Sequence, residues 1–475
     1  MKKLVFLVSS FFCLHAFAQE PVSQPLALSL EEAVALGLEN NYSSIRSEKE
    51  VEKALAQKWE IISQGLPQIN GNVDYQNFLK QPVTLLPAAA FDNTQSTIDV
   101  VEDYFDVQRN NQPVNAPEGF IPVRFGTKQN LTATATWSQL IFDGSYIVGV
   151  QSARTLLQIS KNAKTKTDLE VRKAVINAYG NVLMARETVD ILQNNLDNIS
   201  KNLNDTQKIY ENGLAEEEDV EQLKITSLSL QNNLNRSQRM LDISYQLLNL
   251  AMGVPVNREI IPTDNLNTLA MQFYDEQLLE ENIPLEENID VRIAQNSAEA
   301  ARIFVRLEKA KALPQLTGFL NYGTSGYSDS FTFLNDEQEY FNQSILGVSL
   351  NIPIFSSGMR SARTQQKQLE YEQAMLDLEE TTNRISLAID SAKAEYRFSL
   401  ENFETQQESL ALAQRIENKN QVKFFEGLAS SFELSEAQRQ LYTAQQNLLQ
   451  AMLEVINAKV ELENVLSTKT YSEED

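Results

Sequence analysis

The sequence has one cysteine, Cys13, and one histidine, His15, in 475 residues. Glycine (16) and proline (13) fall well below the ~7% and ~5% of an ordinary globular chain. Basic residues are also short, 40 Lys+Arg against 64 Asp+Glu, for a formal net charge of −24. Each shortage excludes something. The acidic balance leaves no basic footprint for phosphates, so no nucleic-acid partner is expected. Proline is missing from Val123 to Val254 and from Ile354 to Asp475. Gly180 and Gly213 are the only glycines between Val150 and Met252, and Gly427 is the only one after Gly358. Stretches so poor in both breakers fit very long helices and argue against a loop-rich catalytic fold.

Lys2 and Lys3 precede an apolar run from Leu4 to Phe17, which ends in Ala16-Phe17-Ala18 before Gln19. That pattern reads as a secretory leader over residues 1–18. The run is too short to span a membrane, and nothing later supplies about 20 apolar residues in succession. Phe11 and Phe12 are too bulky for a lipidation site at Cys13. Cleavage removes both Cys13 and His15 and, with Lys2 and Lys3, makes the chain two charges more negative. Disulfides, Cys/His metal sites and Cys–His or Ser–His nucleophiles are then excluded. No metal and no cofactor are expected. Enzyme chemistry is disfavoured, because its commonest acid–base agent is gone and no polar constellation converges. Gly318, Gly323 and Gly326 are too scattered to cradle a phosphate.

What remains is a chain built twice. Gln64-Gly65-Leu66-Pro67-Gln68-Ile69 is echoed by Lys311-Ala312-Leu313-Pro314-Gln315-Leu316, an offset of 247. Trp137 to Gly144 is echoed by Leu350 to Gly358 at an offset of 213, and Ile209 to Ala215 by Lys423 to Ala429 at 214. The drop in offset places a 34-residue surplus in the Pro- and Asn-rich stretch from about Lys80 to Phe125. That stretch reads as a long extracellular loop, with ligand binding as the other reading.

Each half predicts helix, strand, loop, strand, then a long helix, a turn and a second long helix. Ser29 is a candidate N-cap with Glu32 completing a capping box, and the first helix is expected to stop at Gly65-Leu66-Pro67. Ile69, Gly71, Val73 and Tyr75 then alternate with Gln68, Asn70, Asn72 and Asp74. Leu131 to Trp137, Leu316 to Tyr322 and Leu346 to Ile354 alternate in the same way. Period-two alternation over about ten residues suits either a transmembrane barrel strand or a half-buried strand of a soluble sheet.

The helices carry heptads. Val175, Val182, Val189, Leu196, Leu203 and Tyr210 form one series, with Ala178, Ala185, Leu192 and Ile199 as its partner. After Gly427 the seam is Leu434, Leu441, Leu448, Val455 and Leu462, with Ala437, Ala444, Ala451 and Ala458. A helix from about Tyr146 to Asn212 would be about 100 Å long at 1.5 Å per residue. The Phe355 to Gly427 separation matches that of Phe142 to Gly213 to within one residue, so the arms are expected to be equal.

Four short strands cannot close a barrel, for which about eight are needed, and open edges are forbidden in lipid. If the strands cross a membrane, several copies must pool them. The rival reading is a secreted coiled-coil structural or adhesive stalk, which has no use for lipid-facing alternation at matching places in both halves.

From Leu28 to about Leu466 the chain resembles the TolC-like outer-membrane efflux protein family. The likeness rests on the duplication, the Leu66-Pro67 and Leu313-Pro314 strand starts, the Phe142-Asp143-Gly144 and Phe355-to-Gly358 strand exits, the tip turns at Gly213 and Gly427, and Ala251-Met252-Gly253-Val254-Pro255. The resemblance implies a mainly α fold with a β-barrel part. Duplicated halves would form a trimeric 12-stranded outer-membrane barrel continued by a long periplasmic α-helical barrel. It implies a passive exit duct of a tripartite efflux or secretion system, without enzymatic activity, in the outer membrane of a Gram-negative cell. The implied partners are two further copies, a periplasmic adaptor (membrane fusion) protein, an inner-membrane transporter and outer-membrane lipid.

The expected division is a leader over 1–18, an N-terminal periplasmic helix over 19–65, and a first strand pair with its long loop over 66–145. A helical hairpin over 146–251 and an equatorial linker over 252–285 complete the first repeat. The second has a helix over 286–312, strands over 313–357, a hairpin over 358–466 and a tail over 467–475. By resemblance, Gly213, Leu214, Gly427 and Leu428 at the tips dock the adaptor. Glu433 and Glu436, six and nine positions after Gly427, and Asp219 in the first repeat line a periplasmic gate ring. The other reading of these carboxylates is local, since Ser430 and Glu433 spell a capping box and acids suit a helix N-terminus. The family's basic lock residue, two positions after the second tip glycine, is replaced by Ala429.

Overall fold

Helices of 68 and 67 residues run where proline and glycine are scarcest. The computed structural model describes residues 25–91, 93–105, 117–281 and 284–467; the expected leader and the tail after Ser467 lie outside them. The order begins β1 (Leu26–Leu28), α1 (Leu30–Asn40), α2 (Tyr42–Ser63), β2 (Gln68–Asn77), β3 (Val83–Pro87), α3 (Thr94–Phe105), β4 (Phe120–Arg124) and β5 (Gln129–Asp143). It continues with α4 (Gly144–Glu211), α5 (Glu217–Ala251), β6 (Ile260–Pro262), α6 (Leu266–Gln272), α7 (Ile289–Ala310), β7 (Gln315–Ser328), β8 (Tyr340–Asn351), α8 (Met359–Phe425) and α9 (Ser431–Leu466). Among the described residues no helix is long and apolar enough to cross a membrane.

The chain divides into two compact units. One comprises residues 58–151 and 305–365 and holds an antiparallel sheet in the order β2-β5-β7-β8. Its register aligns the alternation of all four strands. Ile69, Trp137, Leu320 and Leu346 form one cross-strand row, and Asn72, Thr134, Gly323 and Gln343 form one on the opposite face. A one-residue slip in any strand would mix the faces, so the apolar pattern itself specifies the pairing. A bulge between Leu140 and Phe142 precedes the strand exit. There Asp143 Oδ1 accepts the backbone N–H of Ser145 (2.7 Å) and of Tyr146 (3.2 Å), capping α4. The long stretch after β2, read from sequence only as a loop, contains the antiparallel pair β3–β4 and the helix α3.

The other unit comprises the described residues within 25–57, 152–304 and 366–467. Its core gathers Leu30 and Val34 of α1, Val175, Val182 and Leu183 of α4, Leu269 of α6, Phe403 of α8 and Val455 of α9. Seam positions Leu434, Leu448, Val455 and Leu462 and all four seam alanines of α9 are buried. Small side chains there let backbones approach closely. Ser29 caps α1 through the expected box with Glu32.

Two buried tyrosines fasten this unit. The Tyr179 hydroxyl lies 2.8 Å from Asp264 Oδ2 and 2.9 Å from the Leu28 carbonyl. Tyr396 donates to the Phe273 carbonyl (2.7 Å) and accepts from the Asp275 N–H (2.8 Å). A buried Arg172–Glu463 pair (2.6 Å) ties α4 to α9.

One expectation differs in detail. The first helix is broken at Asn41, whose extended backbone (φ −63°, ψ 133°) separates α1 from α2. The Asn41 amide donates to the Ala251 carbonyl (2.8 Å), and its side-chain oxygen accepts from the Ser43 N–H (2.7 Å), which starts α2. A polar side chain that satisfies both neighbours stabilises the break.

Candidate functional site

The helical tips are built by two copies of one turn. At the end of α4 the Leu214 N–H donates to the Ile209 carbonyl (3.0 Å) and the Gly213 N–H to Tyr210 (2.7 Å). At the end of α8 the Leu428 N–H donates to Lys423 (2.8 Å) and the Gly427 N–H to Phe424 (3.0 Å). The longer-range bond in each pair closes a Schellman-type end, which needs the left-handed backbone found at Gly213 (φ 76°) and Gly427 (φ 70°). The turns throw Leu214 and Leu428 into solvent, 80% and 72% exposed. Apolar side chains so placed have no role in this chain's own core.

Every carboxylate expected at the gate has a local partner. Glu433 accepts the Ser430 N–H (3.0 Å), while Ser430 Oγ accepts the Glu433 N–H (3.3 Å). Asp219 accepts the Glu216 N–H (3.3 Å) at the start of α5. Glu436 is gripped by Arg439, with Nη2 2.7 Å from Oε1 and Nε 2.9 Å from Oε2, and Gln440 adds a bond of 3.1 Å. The Arg439 and Gln440 bonds hold the Glu436 carboxyl below its ordinary range. Ala429 carries no charge, and Arg439 is the cation that the sequence reading overlooked. Its signal was the Glu436-x-x-Arg439 spacing, which places the two side chains on one helical face.

Above the turns, α4, α5, α8 and α9 enclose a cleft of about 710 Å³. Amides dominate its lining, among them Asn195, Asn198, Gln222, Asn418 and Gln438. Burial pushes the Glu417 carboxyl up in this cleft, against a Gln438 hydrogen bond that lowers it. Ser435 Oγ, Asn202 Nδ2 and Thr206 Oγ1 are buried nearby without a hydrogen-bond partner. The tip seam is therefore more weakly held than the apolar core of the same unit. Among the described residues no group of carboxylates is arranged to hold a metal ion.

The second candidate surface is the sheet. Among the described residues β2 and β8 each pair with one neighbour only, so both outer edges are open. On the apolar face Ile69, Val73, Leu346, Val348 and Leu350 are exposed.

Residues 106–254 and 282–468 match the model of the outer membrane efflux protein family. Outer membrane protein TolC of Vibrio cholerae is 22% identical over 348 residues, 73% of this chain and 78% of that protein. The pyoverdine export outer membrane protein OpmQ of Pseudomonas aeruginosa is 26% identical over 334 residues, 68% and 67% of the two chains. Among solved structures, the Campylobacter jejuni CmeC outer membrane channel superposes with a TM-score of 0.69 at 15% identity, covering 94% of this chain and 87% of that one. With its duplicated halves, long helices and open alternating sheet, the chain belongs to the outer membrane efflux protein family.

Proposed function

We propose that three copies of this chain close a 12-stranded barrel in the outer membrane, as the exit duct of a tripartite efflux or secretion system. One observation carries the reading: the open four-stranded sheet has an apolar face, a polar face and two unpaired edges. Exposed edges are untenable in hydrocarbon, where each unpaired backbone group costs several kcal/mol. The β2 edge of one copy pairing with the β8 edge of the next satisfies both, with the apolar face toward lipid and the polar face around a lumen. Family membership supports this reading over a secreted stalk. The helical hairpins continue the passage through the periplasm, and the duct does no chemistry of its own. The division of the chain outlined from sequence goes with this assignment.

The exposed Leu214 and Leu428 beside Gly213 and Gly427 are the docking points for a periplasmic adaptor, which links the duct to an inner-membrane transporter. Glu433, Glu436 and Asp219 form the gate ring. Because Glu436 is neutralised by Arg439, the net negative charge of the ring resides chiefly on Glu433 and Asp219.

The test is planar-bilayer recording beside gel analysis of unheated membranes. Wild type should migrate as a heat-dissociable trimer and conduct with cation preference, and Glu433→Gln should lower that preference more than Glu436→Gln. A monomeric periplasmic species overturns the duct; unchanged selectivity in both variants overturns the gate ring alone.

A further inference from the structure

We propose that the polar face of the sheet carries an aromatic-binding trough, built only by the second repeat, which selects cargo bearing an aromatic ring with a hydrogen-bonding edge. The proposal rests on the channel reading, in which this face lines the lumen. The register places Phe319, Tyr327, Phe341 and Ile345 on the same face as Asn72, Thr132, Thr134 and Gln343. Phe341, Ile345 and Tyr327 are 56%, 53% and 48% exposed there. Tyr327 and Phe341 lie with ring centroids 6.1 Å apart at 44°, a spacing within the range of attractive aromatic pairs. The Phe319 ring rests over Gly347, where a Cβ would collide with it, so the missing side chain lets the ring lie against the backbone beside Ile345. Asn321, paired with Ile345 in the register, and Gln343 border these rings with amides that both donate and accept.

The duplication shows that the sheet does not require these side chains. At the offset of 247, Phe319 stands where the first repeat has Asn72; at the offset of 213, Ile345 stands where it has Thr132 and Phe341 where it has Lys128. The first repeat forms its strand pair with Asn72 and Thr132 at two of these positions, and Lys128 stands just before β5. Apolar side chains turned toward water give no core burial, and aromatic faces with adjacent amides are the usual furniture of a site for a planar ligand. In a three-fold barrel the trough recurs three times, alternating with hydrophilic strips from the first repeat. Cargo that slides along the wall is held briefly by ring stacking and released by exchange with water, as a duct requires.

The test is single-channel recording with 4-nitrophenyl-β-D-glucoside, an uncharged aromatic with a hydroxylated edge, against methyl-β-D-glucoside, which lacks the ring. Wild type should be blocked by the nitrophenyl compound alone. Ile345→Thr, which copies the first repeat, and Phe341→Thr should together raise the half-blocking concentration roughly tenfold, with open conductance and the heat-dissociable trimer unchanged. Leu346→Thr, on the opposite face, should leave blockade as it is. Equal blockade by both glucosides, or a half-blocking concentration unmoved by the paired variants, overturns the trough while leaving the channel intact. A wild type that forms no channel overturns both.

Discussion

Replacing Gly427 by alanine isolates what the tip turn demands of the chain. Its φ is 70°, and a Cβ built there meets nothing within 4 Å. No collision contributes, so the cost is conformational. The left-handed backbone disfavours an L-residue by roughly 1–2 kcal/mol, and alanine's smaller loss of chain entropy offsets part of it. The net is about 1 kcal/mol, roughly a fivefold rise in the open population of the turn. Asparagine tolerates this region, so Gly427→Asn should open the turn less than Gly427→Ala. Gly253 has nearly the same φ, 71°, but a Cβ there would collide with the Asn40 carbonyl and crowd Asn41. Gly253→Ala should therefore destabilise the whole helical unit, while Gly427→Ala loosens only the tip. Hydrogen exchange read by mass spectrometry separates the cases. Peptides covering 420–436 should exchange about five times faster in Gly427→Ala with the core unchanged, whereas Gly253→Ala should lower the melting temperature. Equal protection in Gly427→Ala and wild type would refute the claim that the Leu428-to-Lys423 bond needs a left-handed residue.

The buried Arg172–Glu463 pair predicts asymmetry: Arg172→Met alone should cost about 3–5 kcal/mol in the thermal transition, while Arg172→Met with Glu463→Leu should recover most of it. Tyr179→Phe removes the hydroxyl shared by Asp264 and Leu28, and should cost about 1–2 kcal/mol, measured by denaturant unfolding. Burial pushes the Tyr396 phenol up from 10.0 to about 12. A raised folded pKa means that its stabilising contribution is complete below pH 10 and is lost as pH rises toward 12, so Tyr396→Phe should flatten the alkaline limb of a stability profile in that window.

The long helices and the strand pairs were legible because each is repeated and each follows one simple period. Alternation identified the residues on each strand face, and the duplication fixed which strands correspond. Asn41 was less legible. Its bond to the Ser43 N–H is local, but its bond to Ala251, 210 residues away, leaves no trace in spacing, and the helical pattern runs on through the break. β3, β4 and α3 were hidden for another reason: Val83–Pro87 and Phe120–Arg124 are five-residue strands on either side of a helix, too short for periodicity to separate from loop. The fastenings Tyr179–Asp264 and Arg172–Glu463 are likewise long-range and leave no trace in spacing.

At the tips the sequence supplied positions but not pairings, and the pairings alter the electrostatics. Counting carboxylates after Gly427 gives Glu433 and Glu436 equal standing as ring charges. The structure separates them. Glu433 spends one oxygen on the Ser430 N–H, which brings a dipole but no countercharge. Glu436 is clasped by the Arg439 guanidinium and, at a distance, is close to neutral. Arg439 is well exposed, so salt screens its attraction to Glu436 and the pair contributes little to folding. Its consequence is local. Arg439→Gln frees the Glu436 charge without changing the number of carboxylates and lets its pKa return toward the ordinary value. In the gate reading, that single substitution should add one negative charge per copy and strengthen cation preference at low salt. The increment should shrink as ionic strength rises, because an exposed charge is screened within about 10 Å at 0.1 M salt. Reversal potentials in a salt gradient measure it, and an Arg439→Gln channel with wild-type selectivity at low salt would place Glu436 away from the ion path.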